Sequence, residues 1–190
     1  MDAASTDELV LQAQDGDEAA FAALYRAFAP RLLRYLRHEA GDPDVAEELM
    51  QRTFLRVVEA LPGYQRRPGI PFAAWLFRIA RNATIDERRR AHPVGIEAAA
   101  LLPSRHAGPA DLAESALDRQ DLLRALESLS PDQHDVLVCR FFAELSPAET
   151  ARVMGRSDGS VRVLQHRAIA ALRRLLSEGV QVSGLAEFDR

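Results

Sequence analysis

The sequence predicts an all-α protein: two small helical domains joined by a flexible linker, the C-terminal one a helix-turn-helix. Apolar residues recur at helical spacing along almost the whole chain, and no strand candidate survives. Periodicity collapses once, between His92 and Pro109, where Pro93, Gly95, Pro103, Gly108 and Pro109 punctuate an Ala-rich stretch. Beyond that gap the same helix-start grammar, Ser-Pro followed by Gln or Glu, appears twice. These observations place domains at residues 6–91 and 111–177, a linker at 92–110 and a tail at 178–190.

Each element has its own local reason. Thr6 can cap a first helix that runs through Gln14, and Gly16 breaks it. From Asp17 to His38, Phe21, Leu24, Tyr25, Phe28, Leu32, Leu33, Tyr35 and Leu36 keep helical spacing, with Pro30 expected to kink or split the run. Gly41-Asp42-Pro43 makes a turn. The next helix reaches about Leu61 with Val45, Leu49, Phe54, Val57 and Val58 inward, and Pro62-Gly63 ends it. A Pro/Gly-rich loop then leads to an amphipathic helix from Phe72 to about Arg90, whose buried stripe is Phe72, Leu76, Ile79, Ala80 and Ala83.

In the second domain one helix covers about Leu112 to Leu129. Ser130-Pro131 opens another, with Gln133 in the capping-box position. Ser146-Pro147-Ala148-Glu149 repeats that start, Gly155 provides the left-handed turn, and Ser157 caps a last helix to about Ser177. No extra domain is expected in the tail beyond it.

Bulk properties exclude several classes. With 47% apolar and 27% charged residues in 190, the chain is neither disordered nor collagen-like. No apolar run approaches the roughly 20 residues of a membrane span, and the acidic start, Met1 to Asp7, is no secretory signal. One cysteine, Cys139, can form neither an internal disulfide nor a thiolate metal site. A cytoplasmic setting is expected. All 24 basic residues are arginine, so every cationic contact is a planar fork suited to phosphates and base edges.

The net charge of −4 argues against a protein that simply coats nucleic acid, but its distribution is uneven. Residues 61–92 carry 7 arginines against 2 acids, and residues 156–176 carry 5 against 1. Residues 1–60 carry 6 against 12, so two basic islands sit in an acidic molecule.

Two constellations fall on those islands. In the last helix Val161, Leu164, Ala168, Leu172 and Leu175 form the buried stripe, and the opposite face presents Gly159, Arg162, Val163, His166, Ala170 and Arg173, with Arg167 and Arg174 flanking. Small residues there let a helix enter a major groove, where Arg162 and Arg167 can fork onto guanine or phosphate and Val163 can touch a thymine methyl. On the earlier helix Trp75, Ile79, Asn82 and Asp86 make one line, with Arg78, Arg81, Arg88, Arg89 and Arg90 around it. An aromatic, an amide and a basic rim suit single-stranded DNA. By periodicity alone Trp75 reads first as core, and the arginines as a solvated helix end.

These segments together resemble the extracytoplasmic-function (ECF) group of bacterial RNA polymerase sigma factors. Ala46-Glu47-Glu48-Leu49-Met50-Gln51-Arg52-Thr53-Phe54 resembles that family's polymerase-binding helix. Phe72-Ala73-Ala74-Trp75-Leu76-Phe77-Arg78-Ile79-Ala80-Arg81-Asn82 resembles its promoter-melting helix, and Leu145 through Ala168 its −35-reading helix-turn-helix. The resemblance covers residues 6–177 and implies roles. Glu47, Glu48, Gln51 and Phe54 would dock on the clamp helices of the largest subunit of core RNA polymerase. Tyr64, Arg66, Arg67, Trp75, Arg78, Ile79, Asn82, Asp86 and Arg89 would read and melt the −10 element. Gly159, Ser160, Arg162, Val163, His166 and Arg167 would read the −35 element. Promoter DNA and core polymerase are the implied partners, an anti-sigma protein is a further one, and no membrane is involved. Arg52 and Val45 depart from the family pattern, which usually has acids there.

An enzyme is the first rival, but no GxGxxG, P-loop, HExxH or Cys/His ligand spacing occurs, so no catalytic, cofactor or metal site is expected. Glu47 and Glu48 point to different faces and make a poor acid/base dyad, and the five histidines read as surface residues. A stand-alone helix-turn-helix regulator is the second rival. It would need a dimerisation element, and no heptad is visible.

Overall fold

The computed structural model describes residues 3–66, 70–91 and 121–186. The fold is all-α: α1 (Ala3–Gln14), α2 (Glu18–Ala40), α3 (Pro43–Ala60), a 3₁₀ turn (Leu61–Gly63) and α4 (Phe72–Ala91), followed by α5 (121–127), α6 (Pro131–Leu137), a π turn (Val138–Phe142), α7 (Pro147–Met154) and α8 (Asp158–Ala186). The expected linker and the expected start of the second domain lie outside the described residues.

Helix boundaries follow local chemistry. Asp17 and Asp42 cap α2 and α3, each accepting two backbone N–H bonds of 2.8 and 3.1 Å, and Gly41 ends α2 at φ 71°. The Ser130 N–H donates to Gln133 at 3.2 Å. At α7, Ser146 and Glu149 exchange bonds of 2.7 and 3.2 Å. Gly155 stops α7 at φ 67°, and the Ser157 hydroxyl accepts from the Ser160 N–H at 3.2 Å.

Four expectations change. Helix α1 starts at Ala3, and Thr6 is buried within it instead of capping it. Pro30 does not split α2. Its ring is on the solvent side, where water can satisfy the carbonyl it leaves unpaired, while buried Phe28, Ala29 and Leu32 hold the helix on both sides. Val58 is 51% exposed, because a helix turns 100° per residue and Val57 already takes the inward position. Finally, α8 runs past Ser177 to Ala186, since the glycines there cost helix stability without breaking it.

The core of α1–α4 centres on Leu32, Leu36, Leu49, Leu76 and Phe77, all essentially inaccessible. It does not stop at α4: Val138, Cys139, Ala143, Leu145 and Val153 belong to the same cluster. A second cluster, with Leu126, Val136, Leu137, Ala151, Val161 and Ala168, holds α5–α8 together. The two helical units therefore pack against each other, α4 on α7 and α2 on the π turn.

Candidate nucleic-acid interface

Helix α4 and the turn before it enclose a cavity of about 400 Å³, walled by Gly63, Tyr64, Ile70, Trp75 and Arg78. Trp75 is half-buried. Its ring lies 4.7 Å from that of Tyr64 and 5.5 Å from that of Phe72, which fixes the indole against the helix while one side borders the cavity. Tyr64 is a supporting residue, 9% exposed, with a buried hydroxyl that has no hydrogen-bond partner among the described residues. Burial raises its phenol above the ordinary range. Arg78 is exposed at the rim.

The remaining residues of the −10 group spread along α4. Ile79 packs against the core, Asn82 and Arg89 are exposed, and Asp86 faces Arg56 at 3.9 Å. Arg66 pairs with Asp7 of α1 at 3.0 Å. Arg67 lies outside the described residues. Sequence reasoning missed Arg152, which reaches the same cavity from α7, because no local pattern reports a contact between the two units. It also missed Gln14 of α1, whose contacts with the turn at Leu61 and Tyr64 lie within the first unit but span 47 and 50 residues.

A second, mostly apolar groove of about 550 Å³ runs between α2 and α3. Phe21, Tyr25, Met50, Phe54, Leu55 and Val58 line it, and the Tyr25 and Phe54 rings meet at a tilt with centroids 4.5 Å apart. Glu47 and Gln51 join them at its edge, whereas Glu48 lies outside and sits 3.9 Å from Arg52. Leu55, 62% exposed, and Val58 make this an apolar surface with no cover among the described residues. Arg52 is half-buried and turns toward α4, where it binds Glu87, and it is not among the residues that line the groove.

Helix α8 presents the third surface. Gly159, Ser160, Arg162, Val163, His166 and Arg167 are all exposed, while Val161 and Ala168 are buried and Leu164, Leu172 and Leu175 partly so. Val163, at 53% exposure, is an apolar residue set among cations. The helix is fixed from below: Arg140 donates to Gln165 at 3.0 Å, and Arg156 binds Asp132 at 2.5 Å across the turn.

Polar contacts join the units between these surfaces. Arg31 donates to the carbonyls of Ala143 and Glu144 at 3.0 and 2.9 Å, and Arg34 binds the Glu144 carboxylate at 2.5 Å. His38 and His134 stack with ring nitrogens 3.0 Å apart, so these two histidines are half-buried interface residues. Glu39, His134 and Asp135 bring potential metal-ligand atoms within 4.8 Å of one another. Both carboxylates are taken by arginine, Glu39 by Arg88 and Asp135 by Arg81. Two adjacent guanidinium groups repel a dication, so the cluster reads as an ion-pair network.

Residues 24–93 match the family Sigma-70 region 2, and residues 125–174 match Sigma-70, region 4. The ECF RNA polymerase sigma factor BldN of Streptomyces coelicolor is 35% identical over 180 residues, 93% of this chain and 68% of BldN. The ECF RNA polymerase sigma factor SigD of Mycobacterium tuberculosis is 34% identical over 174 residues, 88% of this chain and 82% of SigD. Among solved structures, CnrH in complex with the cytosolic domain of CnrY has a TM-score of 0.69 at 26% identity, covering 92% of this chain and 98% of CnrH. RpoE of Bartonella quintana, solved with the anti-sigma factor NepR, shares the fold, with a TM-score of 0.65 at 24% identity over 83% of this chain and 96% of that one. With both regions present in that order, and with relatives matched along most of their length, the chain belongs to the ECF group of RNA polymerase sigma factors.

Proposed function

We propose a division of labour among the three surfaces of this alternative sigma factor. The α2–α3 groove, with Glu47, Gln51 and Phe54 and with Glu48 beside it, docks on the clamp helices of the largest subunit of core RNA polymerase. The cavity beside Trp75 and Arg78 takes a base extruded from the −10 strand. Asn82, Asp86 and Arg89 follow the single strand along α4, with Ile79 as apolar support and Tyr64, Arg66 and Arg67 on the loop. On α8, Arg162, Val163, His166 and Arg167 read the −35 element, and Gly159 and Ser160 allow the helix N-terminus to approach the backbone. The setting is the cytoplasm, where core polymerase works. No helix among the described residues is long and apolar enough to cross a membrane.

One observation carries this reading: a cavity of about 400 Å³, bordered by an aromatic face and an arginine, on a region 2 helix. Pockets of a few hundred Å³ suit small planar ligands, and stacking on an aromatic ring offsets the cost of unstacking a base.

The packed arrangement also implies a change of shape. Promoter elements two turns of duplex apart are separated by about 70 Å, whereas α4 and α7 touch. The region 4 unit therefore leaves α4, and Arg152 leaves the cavity, before both elements are held. A linker of roughly 20 residues spans about 65 Å when extended, which with the widths of the two units added covers that separation. An anti-sigma protein is a further partner in this proposal, and CnrH was itself solved with the cytosolic domain of CnrY.

Transcription in vitro with core polymerase over a promoter library tests the assignment. Initiation from templates sharing a −35 and a −10 element at fixed spacing supports it; no stimulation of core enzyme on any template overturns it.

A further inference from the structure

We propose that Gln14 is a positioning residue for −10 recognition, gripping the wall of the base cavity from a helix that precedes the region 2 match. Gln14 is the last residue of α1. Its side-chain amide donates to the Leu61 carbonyl at 2.9 Å and to the Tyr64 carbonyl at 2.7 Å, 47 and 50 residues away. A primary amide has two donor hydrogens, and both are used here.

Those carbonyls bracket the 3₁₀ turn Leu61–Gly63, and Gly63 and Tyr64 form part of the cavity wall. The Tyr64 ring in turn supports Trp75. A second grip comes from Asp7 of α1, which holds Arg66 two residues further along the loop at 3.0 Å. Without the Gln14 amide, the Tyr64 N–H still donates to the Leu61 carbonyl at 3.0 Å, a bond inside the turn that does not tie it to the rest of the domain. Recognition geometry tolerates about half an ångström of error, so a loosened wall blurs the distinction between bases without removing the stacking surface. Gln14 therefore acts through Tyr64 and Trp75 and touches no DNA.

The inference rests on the cavity being the −10 pocket, and the test separates the two claims. The full chain is assayed with core polymerase on templates carrying each base at the most selective −10 position, with −35 variants in parallel. Three variants are compared: Gln14→Leu removes both donors at similar size, Gln14→Lys restores a donor, and Trp75→Ala removes the stacking surface. The expected result is that Gln14→Leu loses about 5- to 30-fold of −10 discrimination, the weight of one or two lost contacts. Its −35 discrimination and core affinity stay at the wild-type level, and Gln14→Lys recovers part of the loss. If Gln14→Leu keeps full −10 discrimination while Trp75→Ala loses it, the Gln14 proposal is overturned and the pocket stands. Should neither variant change −10 discrimination, the pocket assignment falls and this proposal with it. Parallel loss of core affinity and −35 reading by Gln14→Leu would show a general folding role and overturn positioning.

Discussion

The Arg81 guanidinium on α4 donates to the Asp135 carboxylate on α6 at 2.7 Å, joining the helix that carries Trp75 to the unit that carries α8. Burial alone would raise the Asp135 carboxyl, but hydrogen bonds from His134 and Arg81, together with their charges, hold it below the ordinary range. Arg81 is raised in return: burial works against its charge, and the Asp135 hydrogen bond and charge outweigh it.

Removing Arg81 takes the guanidinium from a largely buried carboxylate and leaves it to His134, so Arg81→Ala should cost about 1–3 kcal/mol. The pH dependence follows from the depressed carboxyl. Its contribution is complete above the unfolded value near pH 4 and is lost as the pH falls through the lower folded value. Denaturant unfolding of wild type and Arg81→Ala across that range checks this, with the difference between them shrinking only below about pH 4.

Cys139 reports whether the units separate. It is the only cysteine, it is 2% exposed within the shared core, and burial pushes its thiol up to about 12. Reactivity follows the thiolate, so native alkylation at neutral pH should be slower than that of a free thiol by on the order of 10³-fold. Core polymerase with promoter DNA should accelerate it if the region 4 unit leaves α4. Mass spectrometry of alkylated protein with and without those partners measures the effect.

Base reading by α8 is tested with Arg162→Ala and Arg167→Ala. A bidentate contact to guanine predicts a loss of about 1–3 kcal/mol at the cognate −35 element and relaxed preference there. A phosphate contact instead weakens every sequence evenly and lowers the salt slope by about one. Transcription across −35 variants at several salt concentrations distinguishes the two.

Melting is tested with Trp75→Ala and Asn82→Ala. Both should keep core affinity and lose open-complex formation on duplex templates, because extruding a base costs a few kcal/mol that these contacts offset. Pre-melted templates should rescue both. Since Trp75 also packs on Phe72 and Tyr64, circular dichroism of Trp75→Ala separates a lost contact from a lost fold.

Local grammar carried much of this structure. The Ser-Pro starts at Ser130 and Ser146, the left-handed Gly155 and the outward face of Arg162, Val163, His166 and Arg167 all follow from residues within one or two turns of each other. Pro30 misled because burial on both sides overrides one missing hydrogen bond, which propensity cannot weigh. Trp75 packs against the core and also borders the cavity, a placement that helical spacing alone does not resolve. Arg152, Gln14 and the Arg81–Asp135 pair left no trace in the sequence, since each acts across dozens of residues and a carboxylate or amide carries no period of its own.

The central claim is that this chain reads promoters as a polymerase subunit. The −35 island carries a net charge of only +4, and residues 1–60 carry −6. Affinity for the duplex grows with the number of phosphates neutralised, and an acidic block repels it at long range. Docked on core polymerase, both basic islands engage one DNA molecule, and linked engagement raises apparent affinity by up to about 10²–10⁴-fold. The measurement is promoter binding at matched salt by the protein alone, by core polymerase alone and by the two mixed. The account predicts weak binding by the free protein and tight, sequence-specific binding by the mixture. Tight, sequence-specific binding by the free protein, with no gain on adding core polymerase, would contradict it.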